Sequence, residues 1–319
     1  MKNKIRNSNI EILNNVQNLN DQNPKHCLGN LNFGHWDLFR ISCFVLSILL
    51  ITSAFAFAED KPVVAVVRGS SIEAQVRRAV DLVGGMQGRV KKWDRVLIKV
   101  SLDEAKPSGS GLVTNVEVVR SLIRMCKEAG ARRVTVVDGS LKTNTWKAFE
   151  AAGYNKMAKE EGVILKDLDS DYIWRAWLPE GDGYKKYSVA TTVLNCEVFI
   201  NVPVIKDDKA DDKGSPSLAL KNLLGIMCDK WTKKRLPKGE KLDELIVDMN
   251  SIRQSDLVVI DGTTYDGVII AGNDAVSTDS ITLKMLKLDP GKIGYVKLAE
   301  NKGLGIGNPS EIEVKSEKL

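Results

Sequence analysis

Histidine is nearly absent from this chain. The two that occur, His26 and His35, precede a hydrophobic segment with the form of a cleavable export signal, so the expected mature protein has none. That absence removes Ser-His-Asp and Cys-His nucleophilic mechanisms, His-ligated zinc, histidine general bases and histidine pH switches together. Cysteine is scarce as well. Of five, Cys126, Cys196 and Cys228 fall in the mature part, with no Cys-x-x-Cys pair and no ferredoxin-like run, which argues against an iron–sulfur cluster held by this chain. Cys126 falls on the apolar face of a helical pattern and Cys196 at a strand entrance, positions that suit buried thiols, although an exported compartment permits one disulfide. Charge of one sign is also lacking. The formal net charge of +5 falls to +3 once residues 1–58 take away five Lys and Arg and three Asp and Glu. A protein so balanced lacks the basic footprint of nucleic-acid binding.

What the chain has is a strong N-terminal address. Arg40 to Ala58, RISCFVLSILLITSAFAFA, places one cation before an apolar core and ends in the small-x-small triplet Ala56-Phe57-Ala58. That order of features marks a secretory signal cleaved after Ala58. An uncleaved anchor is the alternative, but the run is somewhat short for a bilayer core of about 30 Å. The residues before Asp37 are Asn-rich and without hydrophobic periodicity, and are either a disordered extension or translation upstream of the true start. The expected organisation is an extension plus signal over residues 1–58 and an α/β domain over residues 59–319, with no stable membrane anchor after cleavage.

Within that domain, short β-branched runs alternate with helical patterns. Strands are expected at 63–67, 95–100, 133–137, 197–202 and 257–260, with a further one at 163–167. Helices are expected at 72–83, 116–129 (capped by Thr114 or Asn115), 145–162, 216–224 (capped near Ser215), 242–250, 275–288 and 293–302. The stretch 169–187, with Trp174 and Trp177, reads as irregular. Short loops between alternating elements imply a mainly parallel sheet with helices on both faces, in one domain or two closely joined lobes.

Four blocks carry a family resemblance: VLIKVSL at 96–102, TNVEVVRSLIRMCKEAGARRVTVVDGS at 114–140, INVPVIKDDKADDKGSPSLALKNLLG at 200–225 and IIAGNDAVSTD at 269–279. Their order and spacing resemble the domain of unknown function 362 family over nearly all of the chain from Val63. The resemblance implies the architecture and leaves the activity open. The family's Lys-Pro-Asn after one strand reads Lys99-Val100-Ser101 here, and its Lys-Thr-His after another reads Lys206-Asp207-Asp208. Some family members are joined to iron–sulfur domains, and this chain lacks the cysteines for one.

The candidate site follows from position. Lys99, Lys206 and Lys221, with Asn222, follow runs that should end at one edge of a parallel sheet, where such sheets collect ligands and where cations beside a helix start suit phosphate or carboxylate groups. Asp138 and Asp261 end strands at the same edge. Asp261, Asp274 and Asp279 supply the oxygen ligands that a divalent cation would need, although an Asp before Gly or at a helix start also serves as ordinary turn and cap chemistry. The cofactor is thus left unknown, with a divalent cation as one option. Gly303 to Gly307 reads as a turn, and the basic run Lys230 to Lys241 as a solvated loop.

These residues suggest an exported enzyme acting on a small anionic, phosphate- or carboxylate-bearing ligand, with Lys99, Lys206, Lys221 and Asn222 binding it and Asp138, Asp261 and Lys206 doing the chemistry. The alternative is a non-catalytic ligand-binding protein using the same cleft. The signal has a direct test: N-terminal sequencing of the exported protein should begin at Glu59, and a mature chain retaining Phe44 to Phe55 in the membrane would overturn the cleavage.

Overall fold

The short strands owe their length and burial to continuous runs of Val, Ile and Leu. β1 (Val63–Arg68), β2 (Arg95–Val100), β3 (Arg133–Asp138), β4 (Ile164–Asp167), β7 (Val198–Val202) and β8 (Leu257–Gly262) all pair in one sheet, as their composition predicts for strands covered on both faces. The computed structural model describes residues 61–206, 216–228, 233 and 235–319. The N-terminal segment read as an export signal and the acidic stretch 207–215, with Ser215, lie outside those residues.

The sheet has eight strands in the order β10-β1-β9-β8-β7-β2-β3-β4, where β9 is Val268–Gly272 and β10 is Glu313–Lys318. All neighbouring pairs are parallel except those made by β9, which runs antiparallel between β1 and β8. The α/β class with a mainly parallel sheet is therefore correct. The sequence reading missed β9, whose apolar Val-Ile-Ile-Ala-Gly run follows β8 too closely to leave room for a crossover helix. It missed β10 because six residues alternating charge and small side chains lack the apolar signature of a strand.

Helices cover both faces. α1 (Ile72–Leu82), α2 (Val116–Glu128), α3 (Thr145–Ala151) and α4 (Tyr154–Glu161) pack on one side through Val76, Val80, Leu122, Phe149 and Met157. The other face carries α6 (Ala219–Asn222), α7 (Glu240–Ile252), α8 (Ala275–Met285) and α9 (Gly294–Asn301), after a single turn, α5 (Thr191–Leu194), that precedes β7. Caps match the sequence. Ser71 accepts from the Ala74 N–H and Asn115 from the Glu117 N–H, and Gly130 leaves α2 in a left-handed conformation (φ 96°).

Two local expectations need correction. The segment read as irregular holds a hairpin, β5 (Ile173–Trp177) and β6 (Lys186–Ala190), which forms a separate two-stranded sheet. The helix expected over 216–224 begins at Ala219, lasts four residues and continues as a 3-10 turn to Ile226. Its first N–H groups are satisfied by Asp279 from α8 and not by a local cap, a contact that no neighbouring residue announces.

Candidate functional site at the carboxyl edge

Adjacent strands β2 and β7 send their chains to opposite faces of the sheet: β2 continues into α2 on one side, and β7 into α6 and α7 on the other. Such a reversal opens a crevice at the carboxyl ends of the two strands, the usual ligand position in open α/β sheets. Lys99 stands at the end of β2 and Lys206 just beyond β7, so the crevice is lined by charge.

Both lysines are nearly fully buried, and burying an ammonium is costly unless partners replace its water. Lys99 has three. Its Nζ lies 2.7 Å from Asp138 Oδ1 and donates to Asn222 Oδ1 (2.8 Å) and to the Val100 carbonyl (2.7 Å). Asn222 in turn donates to Asn201 Oδ1 (2.8 Å), and Asn201 donates to the Ala219 carbonyl (2.9 Å), which ties α6 to β7. Lys206 Nζ donates to Asp103 Oδ2 at 2.9 Å. Asp103 accepts from the Leu141 N–H and Asp138 from the Leu102 N–H, so the loops after β2 and β3 hold one another's carboxylates. The pairs are electrostatically joined. Burial raises Asp138 above the usual carboxylate range, against the pull of Lys99 and with a further push from Asp103. Burial also acts on Asp103, but Lys206 and Lys99 outweigh it and hold that carboxyl below its ordinary value.

A third lysine joins from behind. Lys233 is buried, donating to the Gly139 and Gly225 carbonyls (3.0 and 3.2 Å) and pairing with Asp169. Here the solvated-loop reading of the basic run fails for Lys233. Only glycines fit between the ammonium groups: a Cβ on Gly225 would lie 2.8 Å from Lys99 Nζ, and one on Gly139 would lie 2.3 Å from the Gly225 carbonyl oxygen and 2.6 Å from Lys233 Nζ. Beside this partition a polar cleft of about 360 Å³ is lined by Ser140, Thr143, Thr145, Asp167, Asp169 and Lys233.

The structure therefore brings together Lys99, Lys206, Asn222 and Asp138 of the residues chosen from sequence. Lys221 is half-buried on α6 next to Asn222. Asp261 ends β8 at the same edge, but its carboxylate is occupied by the Asn115 N–H (2.6 Å), the Thr263 N–H (3.0 Å) and the Thr263 hydroxyl (2.7 Å). The cation-binding option does not match the geometry. Among the described residues no group of three or more His, Cys, Asp or Glu is arranged to hold a metal ion. Asp274 caps α8 through the Ser277 N–H, and Asp279 accepts from the Ala219 and Leu220 N–H groups, so each has a backbone task. Sequence reasoning missed Asp103, Lys233, Asn201 and Asp169. Asp103 was visible only as one acid in a polar loop two residues past the family tripeptide; the other three are found through long-range contacts.

Comparison with known proteins supplies a family and little chemistry. A family described as a domain of unknown function (DUF362) matches residues 96–284. The chain is 23% identical over 261 residues to the thylakoid-associated protein sll1697 of Synechocystis sp. (strain ATCC 27184 / PCC 6803 / Kazusa), covering 76% of this chain and 78% of that one. Among solved structures it is similar to the lactate racemase apoprotein from Thermoanaerobacterium thermosaccharolyticum, at a TM-score of 0.38 and 13% identity, over 70% of this chain and 56% of that one. The chain thus spans little more than half of that structure.

Two outcomes follow from the site. Lys206→Met should lower the unfolding free energy by about 3–5 kcal/mol, because Asp103 keeps a charge without its partner. Adding Asp103→Asn should restore most of the loss in urea denaturation, and a fully stable single variant would show that the pair contributes nothing. Burial pushes Asp279 up from 3.8 to about 7, with the Leu220 and Ala219 N–H groups resisting and Asp274 adding to the rise. Because the folded value exceeds the unfolded one, the folded state holds the proton more tightly. Its contribution is complete below about pH 4 and fades as pH rises towards 7. Relative to Asp279→Asn, the wild type should therefore lose stability across that window, and a constant difference between the two would overturn the assignment.

Proposed function

Because the chain belongs to the domain of unknown function 362 family, whose name assigns no reaction, we propose its function from its own site: an enzyme acting on a small phosphate- or carboxylate-bearing ligand at the carboxyl edge of β2, β3 and β7. The observation that carries this reading is the burial of Lys99, Lys206 and Asp138 together at the crevice, with the partly buried Asp103 paired to Lys206. Apolar residues of similar size would often be as stable there or more so, which makes a stabilising role a poor reason for three buried charges and a fourth beside them. Perturbed carboxyls in a cleft are, by contrast, what proton-transfer sites need.

In this arrangement the ammonium groups are already neutralised by carboxylates, so they are not a ready-made anion cradle. A ligand anion instead exchanges with Asp103 for Lys206. Once Lys206 turns to the ligand, Asp103 loses the nearest cation that depresses its proton affinity and becomes a stronger base beside the bound substrate. Asp138 with Lys99 forms the second proton-holding pair, and the hydroxyls of Ser140, Thr143 and Thr145 give the polar part of the ligand its hydrogen-bond partners. A non-catalytic binder is the second reading, favoured by the mutual satisfaction of the charges at rest.

The signal-like segment adds export to the proposal. No helix among the described residues is long and apolar enough to cross a membrane. The relative's description as thylakoid-associated supports a place of work at a membrane.

The test combines calorimetry with mass analysis. Titration of the purified protein with inorganic phosphate and a panel of small phosphate esters and hydroxy acids should give binding that Lys206→Met/Asp103→Asn loses while remaining folded. Chemical change of the bound compound on incubation identifies an enzyme, and its recovery unchanged identifies a binding protein. Failure of every anion to bind, or equal binding by the double variant, would overturn the site.

A further inference from the structure

Strand β2 also has an amino end, and the opposite edge of the sheet carries chemistry of a different kind. A second cleft, of about 390 Å³, opens there between the starts of β2, β3 and β4 and the segment leading into β5. With six residues in β2 and roughly 3.3 Å per residue, the two edges stand on the order of 17–20 Å apart. This cleft is therefore separate from the carboxyl-edge cluster and belongs to none of the roles proposed for it.

Its walls are apolar and its rim is cationic. Leu97 lies in the floor, while Ile164 and Tyr172 stand 49% and 86% exposed beside it. Large apolar side chains left in water around a concave surface mark a place where something else covers them. Three cations line the same space. Arg95 is engaged by Glu197 at 2.6 Å, and Lys166 is held by Asp171 at 2.6 Å and by the Thr192 hydroxyl. Arg133 differs: its side chain is exposed and has no acidic partner among the described residues. Lys91, Lys92 and Arg132 are exposed at the same edge and add positive potential around it. Trp93, two residues before Arg95, is 68% exposed and adopts a left-handed backbone (φ 78°) rare for a bulky residue, with Lys92 Nζ 5.6 Å from its ring centre.

We propose that this amino-edge cleft binds an amphipathic organic anion, with the apolar body against Leu97, Ile164 and Tyr172 and the carboxylate or phosphate on Arg133. Lys166, held in place by Asp171 and Thr192, gives the head group a second, pre-oriented cation. The same chemistry is offered by a soluble fatty acid or alkyl phosphate and by an anionic lipid, and exposed aromatic and basic side chains at one edge suit either source.

Octanoate, octyl phosphate, octylamine and inorganic phosphate, titrated separately into the purified protein by calorimetry, test the assignment. Octanoate or octyl phosphate should bind at least tenfold more tightly than octylamine or phosphate, because only they combine the apolar body with the anion. Arg133→Ala, at an exposed site with no acidic partner among the described residues, should leave the fold unchanged and weaken the octyl anion by roughly tenfold to a hundredfold through loss of a charge-assisted hydrogen bond. Ile164→Asp, which places a like charge in the wall, should weaken it further. Uptake of the free octyl anion identifies a soluble ligand. Cosedimentation with phosphatidylglycerol vesicles, absent with phosphatidylcholine and lost in Arg133→Ala, identifies the lipid. If neither arm shows binding, if octylamine binds as well as octanoate, or if Arg133→Ala binds like wild type, the cleft is not an amphipathic anion site.

Discussion

An ammonium group taken out of water must be given acceptors, and the organisation of the carboxyl edge follows from that requirement at Lys99. Its three protons meet three oxygens, from Asp138 on β3, Val100 on β2 and Asn222 on α6. A lysine has three donors and no acceptor, so this set leaves none unsatisfied. To supply Asn222, the chain beyond β7 must return across the end of β2, and to let it approach, residue 225 must lack a side chain. The short α6 that results would be marginal alone, since nucleation is costly and four residues recover little of it. It is held instead by Asn201, by Asn250 donating to the Leu220 carbonyl, and by the Asp279 carboxylate at its start.

The placement of Asp279 connects the site to the far part of the chain. α8 contributes the carboxylate that caps α6, and α6 contributes the amide that solvates Lys99. This is a structural explanation for four separated sequence blocks occurring together: the strand with Lys99, the end of β3 at Asp138, Lys206 with residues 216–225, and the Asp279 helix are the parts that meet at one place.

The two edges of the sheet illustrate different ways of handling charge. At the carboxyl edge every buried cation described has an anion beside it. At the amino edge the cations are at the surface, where water makes an unpaired guanidinium inexpensive, and the apolar walls are left for a ligand to cover. Buried pairs demand long-range partners from several strands and helices. The exposed rim needs only basic residues at the starts of β2 and β3, which the sequence displays as Lys91-Lys92-Trp93-Asp94-Arg95 and Arg132-Arg133.

By itself the amino-acid sequence determined the strands whose apolar runs are unbroken, most of the helix boundaries set by caps and glycines, the parallel α/β class, and the gathering of Lys99, Lys206, Asn222 and Asp138 at one edge. These are legible because each depends on local periodicity or on a residue's place relative to a strand end. Tertiary structure alone decided that β9 reverses direction between β1 and β8, that the charged β10 pairs with β1, that 173–190 forms a hairpin, and that Asp279 serves the Ala219 and Leu220 N–H groups. It also decided that Lys206 answers to Asp103 and Lys233 to Asp169, pairs separated by 103 and 64 positions in the chain. The physical reason is common to all of them. A hydrogen bond or ion pair across such distances is selected by the packing of whole elements, and a carboxylate has the same local sequence whether it caps a helix, neutralises a lysine or takes a proton.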